Sequence, residues 1–127
     1  MAEKINLINI DHHHDYAYDK KDLEQPITDI NCGNWGKKLI EQNRINSYLW
    51  ISGDNSIIVP QEYQKEIPNF TYEMIHTTKL KTLPRPDKVI ICLSPPWTPP
   101  YLYPLYYTWM DIANVIHNAH FEVEKIK

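Results

Sequence analysis

The sequence predicts an α/β domain spanning residues 1–127, with a mostly parallel sheet as the middle of three layers and helices on its faces. Three observations predict it. Ile5, Leu7, Ile8 and Ile10 form a short apolar run of strand length that ends abruptly in ionisable residues. Trp35, Leu39 and Ile40 have helical spacing and are followed by the strand-like Ser47–Ser52, which makes a β-α-β unit whose strands run parallel. Lys88–Ser94 is a continuous apolar run suited to the middle of a parallel sheet.

The remaining elements follow in order. Tyr16–Gln25 is polar, is closed by Pro26 and has loop composition. A helix should start near Asn34, whose side chain could either cap it or contact a ligand. Its N-terminal N–H groups would then face the same end of the sheet as the tip of the first strand. Residues 57–59 could add a brief strand, and residues 60–68 an irregular stretch or short helix. Tyr72–Leu80 reads as a polar edge strand, in which His76 is a structural residue. Four prolines and several aromatics make residues 95–104 stiff, fit either to bind an extended peptide or to cover the core. The last helix should span Leu105–Ala119, with Trp109, Ile112, Ala113 and Ile116 on one face.

The chemistry concentrates in Asp11-His12-His13-His14-Asp15. Unpaired carboxylates and imidazoles in a dry core cost several kcal/mol each, so this tip should open into the crevice where α/β sheets bind ligands. Side chains alternate along a strand, so Asp11, His13 and Asp15 should share one side, with His12 and His14 on the other. Two carboxylates and an imidazole at close quarters suit a divalent ion such as Mn²⁺. His12 and His14 could assist those ligands or lie exposed in a loop. Asp54, in Gly53-Asp54-Asn55-Ser56, should reach the same rim, although turn chemistry also explains that tetrad. His117 and His120 should lie roughly 20 Å from the start of the last helix, at the wrong end for the site.

Composition narrows the partners. The net charge of −3, with no clustered basic face, argues against nucleic acid. Cys32 and Cys92 form neither a disulfide framework nor a zinc pattern, which fits a reducing cytoplasm. No signal peptide precedes the first strand and no apolar run is long enough to cross a bilayer, so a soluble cytoplasmic protein without a membrane partner is expected.

Asp11–Asp15 resembles the Asp-x-His-x-Asp metal motif of the arginase superfamily, and Cys32-Gly33-Asn34-Trp35-Gly36 looks like that family's Ser-Gly-Asn segment. Ile10–Asp15, Cys32–Trp35 and Leu93-Ser94-Pro95-Pro96-Trp97-Thr98-Pro99 together resemble, in order, the small arginase-related family that includes the peptide arginases. The resemblance implies a reduced arginase-like fold that hydrolyses arginine side chains of a precursor peptide to ornithine and urea. It implies two Mn²⁺ ions that activate water, with Asp11, His13 and Asp15 as ligands. It also implies a proton shuttle from Asp15, His14 or His12, and substrate contacts from Asn34, Ser94 and Trp97. The family's late aspartate pair has no counterpart in Ser94–Thr98, so further ligands would come from Asp29, Asp54, His12 or His14, or from a partner chain. Other metal-dependent amide hydrolysis, or peptide binding without catalysis, are the alternatives on the same fold.

Overall fold

The structure, a computed structural model, describes residues 3–92, 99–119 and 122–126, and the chain divides into two compact units, Met1–Leu80 and Lys81–Lys127. The first unit holds β1 (Ile5–Ile10), α1 (Lys20–Glu24), α2 (Trp35–Glu41), β2 (Ile45–Ser52), α3 (Gln61–Gln64) and β3 (Phe70–Met74). Its sheet has the order β1-β2-β3, and both pairings are parallel. The fold is therefore α/β, a three-stranded parallel sheet flanked by helices.

The central strand carries the core. In β2, Ile45, Tyr48, Trp50 and Ile51 are buried, and the first three pack with Tyr16, Val59 and Ile67. Register partners Tyr48–Phe70 and Trp50–Tyr72 bring aromatic rings together at 5.9 and 6.2 Å between centroids, the cross-strand contact that stabilises a sheet. The β-α-β unit expected from the sequence is present, with β2 beginning two residues earlier than Ser47.

Several expectations are corrected. Residues 16–25 are not all loop. Asp19 accepts a hydrogen bond from the Asp22 amide at 2.8 Å and so caps the N-terminus of α1. The C-terminal carbonyls of that helix are held by Lys37 of α2, whose Nζ donates to the carbonyls of Asp22, Leu23 and Gln25. This explains a lysine that is only 6% exposed. Residues 57–59 form no strand, and the stretch before Pro68 contains α3. The edge strand stops at Met74, because the amides of Thr77 and Thr78 turn back onto the Met74 carbonyl. His76 therefore lies in a turn, outside the strand.

The second unit holds β4 (Lys88–Cys92), α4 (Tyr103–Ala119) and β5 (Glu122–Ile126). The apolar run of β4 was expected in the middle of the main sheet. It pairs instead with β5, parallel, in a sheet of two strands. On α4 the expected apolar face is rotated: Tyr106 and Met110 are buried, whereas Trp109 and Ile112 are more than half exposed. The side chains of Ala113, Ile116 and His117, and all of His120, lie outside the described residues. Among the described residues, no helix is long and apolar enough to cross a membrane.

Tyr48 offers a direct test of how the core supports the turn after β1. Its buried hydroxyl donates to the His14 carbonyl at 2.6 Å. Tyr48→Phe leaves that carbonyl without this donor and should cost about 1–3 kcal/mol, read by urea denaturation. A change below a few tenths of a kcal/mol would show that the bond does not hold the turn.

Candidate functional site

Strand geometry ends at Ile10, and a turn replaces the expected alternation. The Asp11 amide still donates to the Ile51 carbonyl at 3.1 Å, which extends the ladder by one bond. The His13 amide then folds back onto Asp11 Oδ1 at 3.2 Å, the local turn that aspartate favours. Asp15 adopts a left-handed conformation with φ 59°, and Ala17 follows with φ 148°. The Gly36 amide at the start of α2 donates to the Asp15 carbonyl at 2.8 Å. Only glycine permits this approach, since a Cβ at position 36 would stand 2.7 Å from that carbonyl oxygen.

This turn sets Asp11 beside both His13 and Asp15 for a reason other than pleating. Asp11 Oδ1 lies 3.8 Å from His13 Nδ1. Asp15 is buried, and burial is the largest cause that raises its pKa to about 7. The negative charge of Asp11 raises it next, and the two carboxyl groups share a hydrogen bond. Asn9 Nδ2, at 3.1 Å from Asp15 Oδ2, and Trp35 oppose the rise by donating to the carboxylate. The result is a pair of facing acids in which Asp15 holds its proton well above the ordinary carboxylate range.

The other two histidines go elsewhere. Ser56 Oγ accepts from the Gly53 amide at 3.0 Å and lies 3.2 Å from His12 Nδ1, so its own proton can point to that nitrogen. His14 is 1% exposed, stacked on Tyr18 at 4.1 Å and edge-on to Trp50 at 5.5 Å. Its Nδ1 accepts from the Tyr16 amide at 3.0 Å, which puts the proton of the neutral ring on Nε2, a buried nitrogen without a hydrogen-bond partner. Burial first, and the neighbouring His13 second, lower its pKa to about 4. His14 is thus a neutral donor whose bonding does not suit a metal ligand.

Asp54 pairs with His76 Nδ1 at 2.7 Å, and both side chains are exposed. Asp29 is exposed and contributes its backbone carbonyl to Asn34. Asn34 precedes α2 but makes no side-chain capping bond. Its Oδ1 accepts from the Asn31 amide at 2.7 Å, and its Nδ2 donates to Asp22 Oδ2 and the Asp29 carbonyl. The buried amide organises the loop between α1 and α2. Ser94 and Trp97 lie outside the described residues. Asn9 and Tyr48 are participants the sequence reading missed. Asn9 had a signal, a carboxamide two residues before the acidic tip of a mostly apolar strand, whereas Tyr48 looked like ordinary core.

Among the described residues, no three histidine, cysteine, aspartate or glutamate side chains are gathered closely enough to hold one metal ion. The acid pair alone fits a divalent cation: its two carboxylates repel, and a cation between them would relieve the repulsion. Comparison of the chain with protein-family models, curated proteins and solved structures returns no match.

The raised pKa of Asp15 gives metal-free protein a defined pH dependence. Its folded pKa lies above the unfolded value of 3.8, so the unfolded chain releases this proton more readily. The group therefore lowers stability progressively as pH rises from about 4 to about 7. Asp15→Asn, which also tolerates the left-handed backbone, should stabilise metal-free protein by roughly 1–3 kcal/mol at pH 7.5. The gain should vanish near pH 4, as read by denaturation at both pH values. Equal effects at the two pH values would contradict the assignment.

Proposed function

We propose that this chain is a manganese-dependent hydrolase on an arginase-like fold, releasing urea from arginine side chains of a peptide and leaving ornithine. The observation that carries this reading is the facing Asp11 and Asp15 carboxylates at the tip of a parallel strand, the position where open α/β sheets bind ligands. The in-order resemblance of Ile10–Asp15 and Cys32–Trp35 to the peptide arginases supports it.

Asp11 and Asp15 would hold the cation, with His13 beside Asp11, and the cation would supply an acidified water and positive charge at the scissile carbon. Water or substrate would complete the first ion's coordination. The second Mn²⁺ of the expected pair would need ligands the described residues do not gather. Asp11 and Asp15 bring negative charge that attracts a guanidinium. His12, exposed and beside Ser56 Oγ, can as an imidazolium pass a proton to the departing amine and regain it from solvent. His14, neutral and enclosed, positions the turn. A reducing cytoplasm remains the compartment this reading proposes.

A second reading, peptide binding without catalysis, is favoured by Asp54, which is engaged by His76 away from the acid pair, and by the exposed Asp29. One experiment separates the two. Mn²⁺ added to metal-free protein at a hundredfold excess over Kd should stabilise it by about 2.7 kcal/mol, and Asp11→Asn should abolish the shift. With an arginine-containing peptide, wild-type protein and Mn²⁺ should lower the peptide mass by about 42 Da per site and release urea. Release of acetate or ammonia instead would assign a different amide hydrolysis. A chain unresponsive to Mn²⁺ would leave the binding reading.

A further inference from the structure

A cavity of about 390 Å³ opens in the first unit among α1, Pro26, α2 and α3. Its walls join the aromatic rings of Tyr16 and Tyr63, the aliphatic Leu23 and Ile40, and the carboxylates of Glu24, Glu41 and Glu66. Two of these carboxylates are held in place by neutral donors. The Ile27 amide donates to both oxygens of Glu41 at 3.0 and 3.1 Å, and the Tyr16 hydroxyl donates to Glu66 at 2.9 Å. The one lining cation, Lys37, is committed to the carbonyl groups that end α1, and it lies 3.9 Å from Glu41. The lining thus keeps an excess of negative charge beside aromatic faces and aliphatic walls. Lys37 Nζ already sits 5.8 Å from the centre of the Tyr16 ring, so one wall displays the cation–aromatic contact in miniature.

From this cavity we infer a binding site for the basic side chain of a peptide, arginine or lysine, with its stem along Leu23 and Ile40 and its charge among Glu24, Glu41 and Glu66. An anion would meet three carboxylates, and a purely apolar group would strip water from them without a partner. A long side chain with an aliphatic stem and a cationic head meets both kinds of wall. Burial, then the hydrogen bond to Glu66 and the charges of Glu66 and Glu41, hold the Tyr16 phenol above its ordinary pKa, as a negative environment requires. The site shares no lining residue with the acid pair, and it stands whether or not that pair is catalytic. Tyr16 directly follows Asp15, so one turn serves both.

The test uses the full chain without Mn²⁺, labelled with ¹⁵N. Acetyl-arginine amide, acetyl-lysine amide and the neutral acetyl-citrulline amide are titrated while backbone amide resonances are followed. Saturable shifts at Ile27 and Tyr63 with either cation, absent with citrulline, are expected. Glu24→Gln combined with Glu66→Gln should weaken binding at least tenfold, while Asp11→Asn should leave it unchanged. Which cation binds more tightly identifies the side chain. Absence of saturable shifts with both cations, equal shifts with citrulline, undiminished binding by the double variant, or loss of binding in Asp11→Asn would each overturn the site. A failed Mn²⁺ response with intact cation binding would remove the hydrolase and leave this site standing.

Discussion

The structure depends on hydrogen bonds that the core of β2 sends into the turn after β1. Tyr48 hydroxyl reaches the His14 carbonyl and Trp50 Nε1 reaches the Asp11 carbonyl at 2.9 Å. Asn9 Nδ2 approaches the His13 carbonyl, and the Gly36 amide takes that of Asp15. Four of the five carbonyls between residues 11 and 15 are therefore held by donors that the fold fixes elsewhere. Buried carbonyls left without donors would cost a few kcal/mol together, and the turn could then relax toward solvent. The aromatic residues that fill the core also give the turn its shape.

That support is set against real tension. Left-handed backbone at Asp15 and the positive φ of Ala17 each cost about 1–3 kcal/mol, and a buried carboxyl facing another adds electrostatic cost. A turn under no constraint would place glycine or asparagine at such positions and turn the acids outward. Strain and like charge thus meet where β1 ends, and a ligand of opposite charge would relieve what the fold alone tolerates.

Much of this was legible in the residues, for reasons that also explain what was not. The apolar run of β1, the helical spacing of Trp35, Leu39 and Ile40, and the aromatic strand after them encode a parallel unit through local periodicity. The short α1 was hidden because its helix is stabilised from a distance: Lys37 closes its end from another helix, and Asp19 looks like any loop aspartate until Asp22 is seen above it. The pairing of β4 with β5 could not be read from an apolar run, which states that a strand is covered and not by which neighbour. At the site, Asp11, His13 and Asp15 were grouped by assumed alternation. Asp11 instead meets each of the other two through a turn, and turn conformation depends on the partners supplied by Asn9, Gly36 and Tyr48, two of which come from later in the chain.

The three adjacent histidines show why a run of ligand-type residues is not a run of ligands. Because the backbone turns at each step, three identical side chains meet three environments. His12 faces Ser56, His13 stays beside Asp11, and His14 enters the stack of Tyr18 and Trp50. The amide of Tyr16 decides the chemistry of the last one, since accepting at Nδ1 obliges the neutral ring to carry its proton at Nε2. Burial then keeps that ring uncharged down to a pKa of about 4. An imidazolium at this position would compete with any cation drawn to Asp11 and Asp15, and an imidazole free to ionise would make the field at the acid pair change through the physiological range. Enclosing His14 removes both effects and leaves the two carboxylates to set the charge of the site.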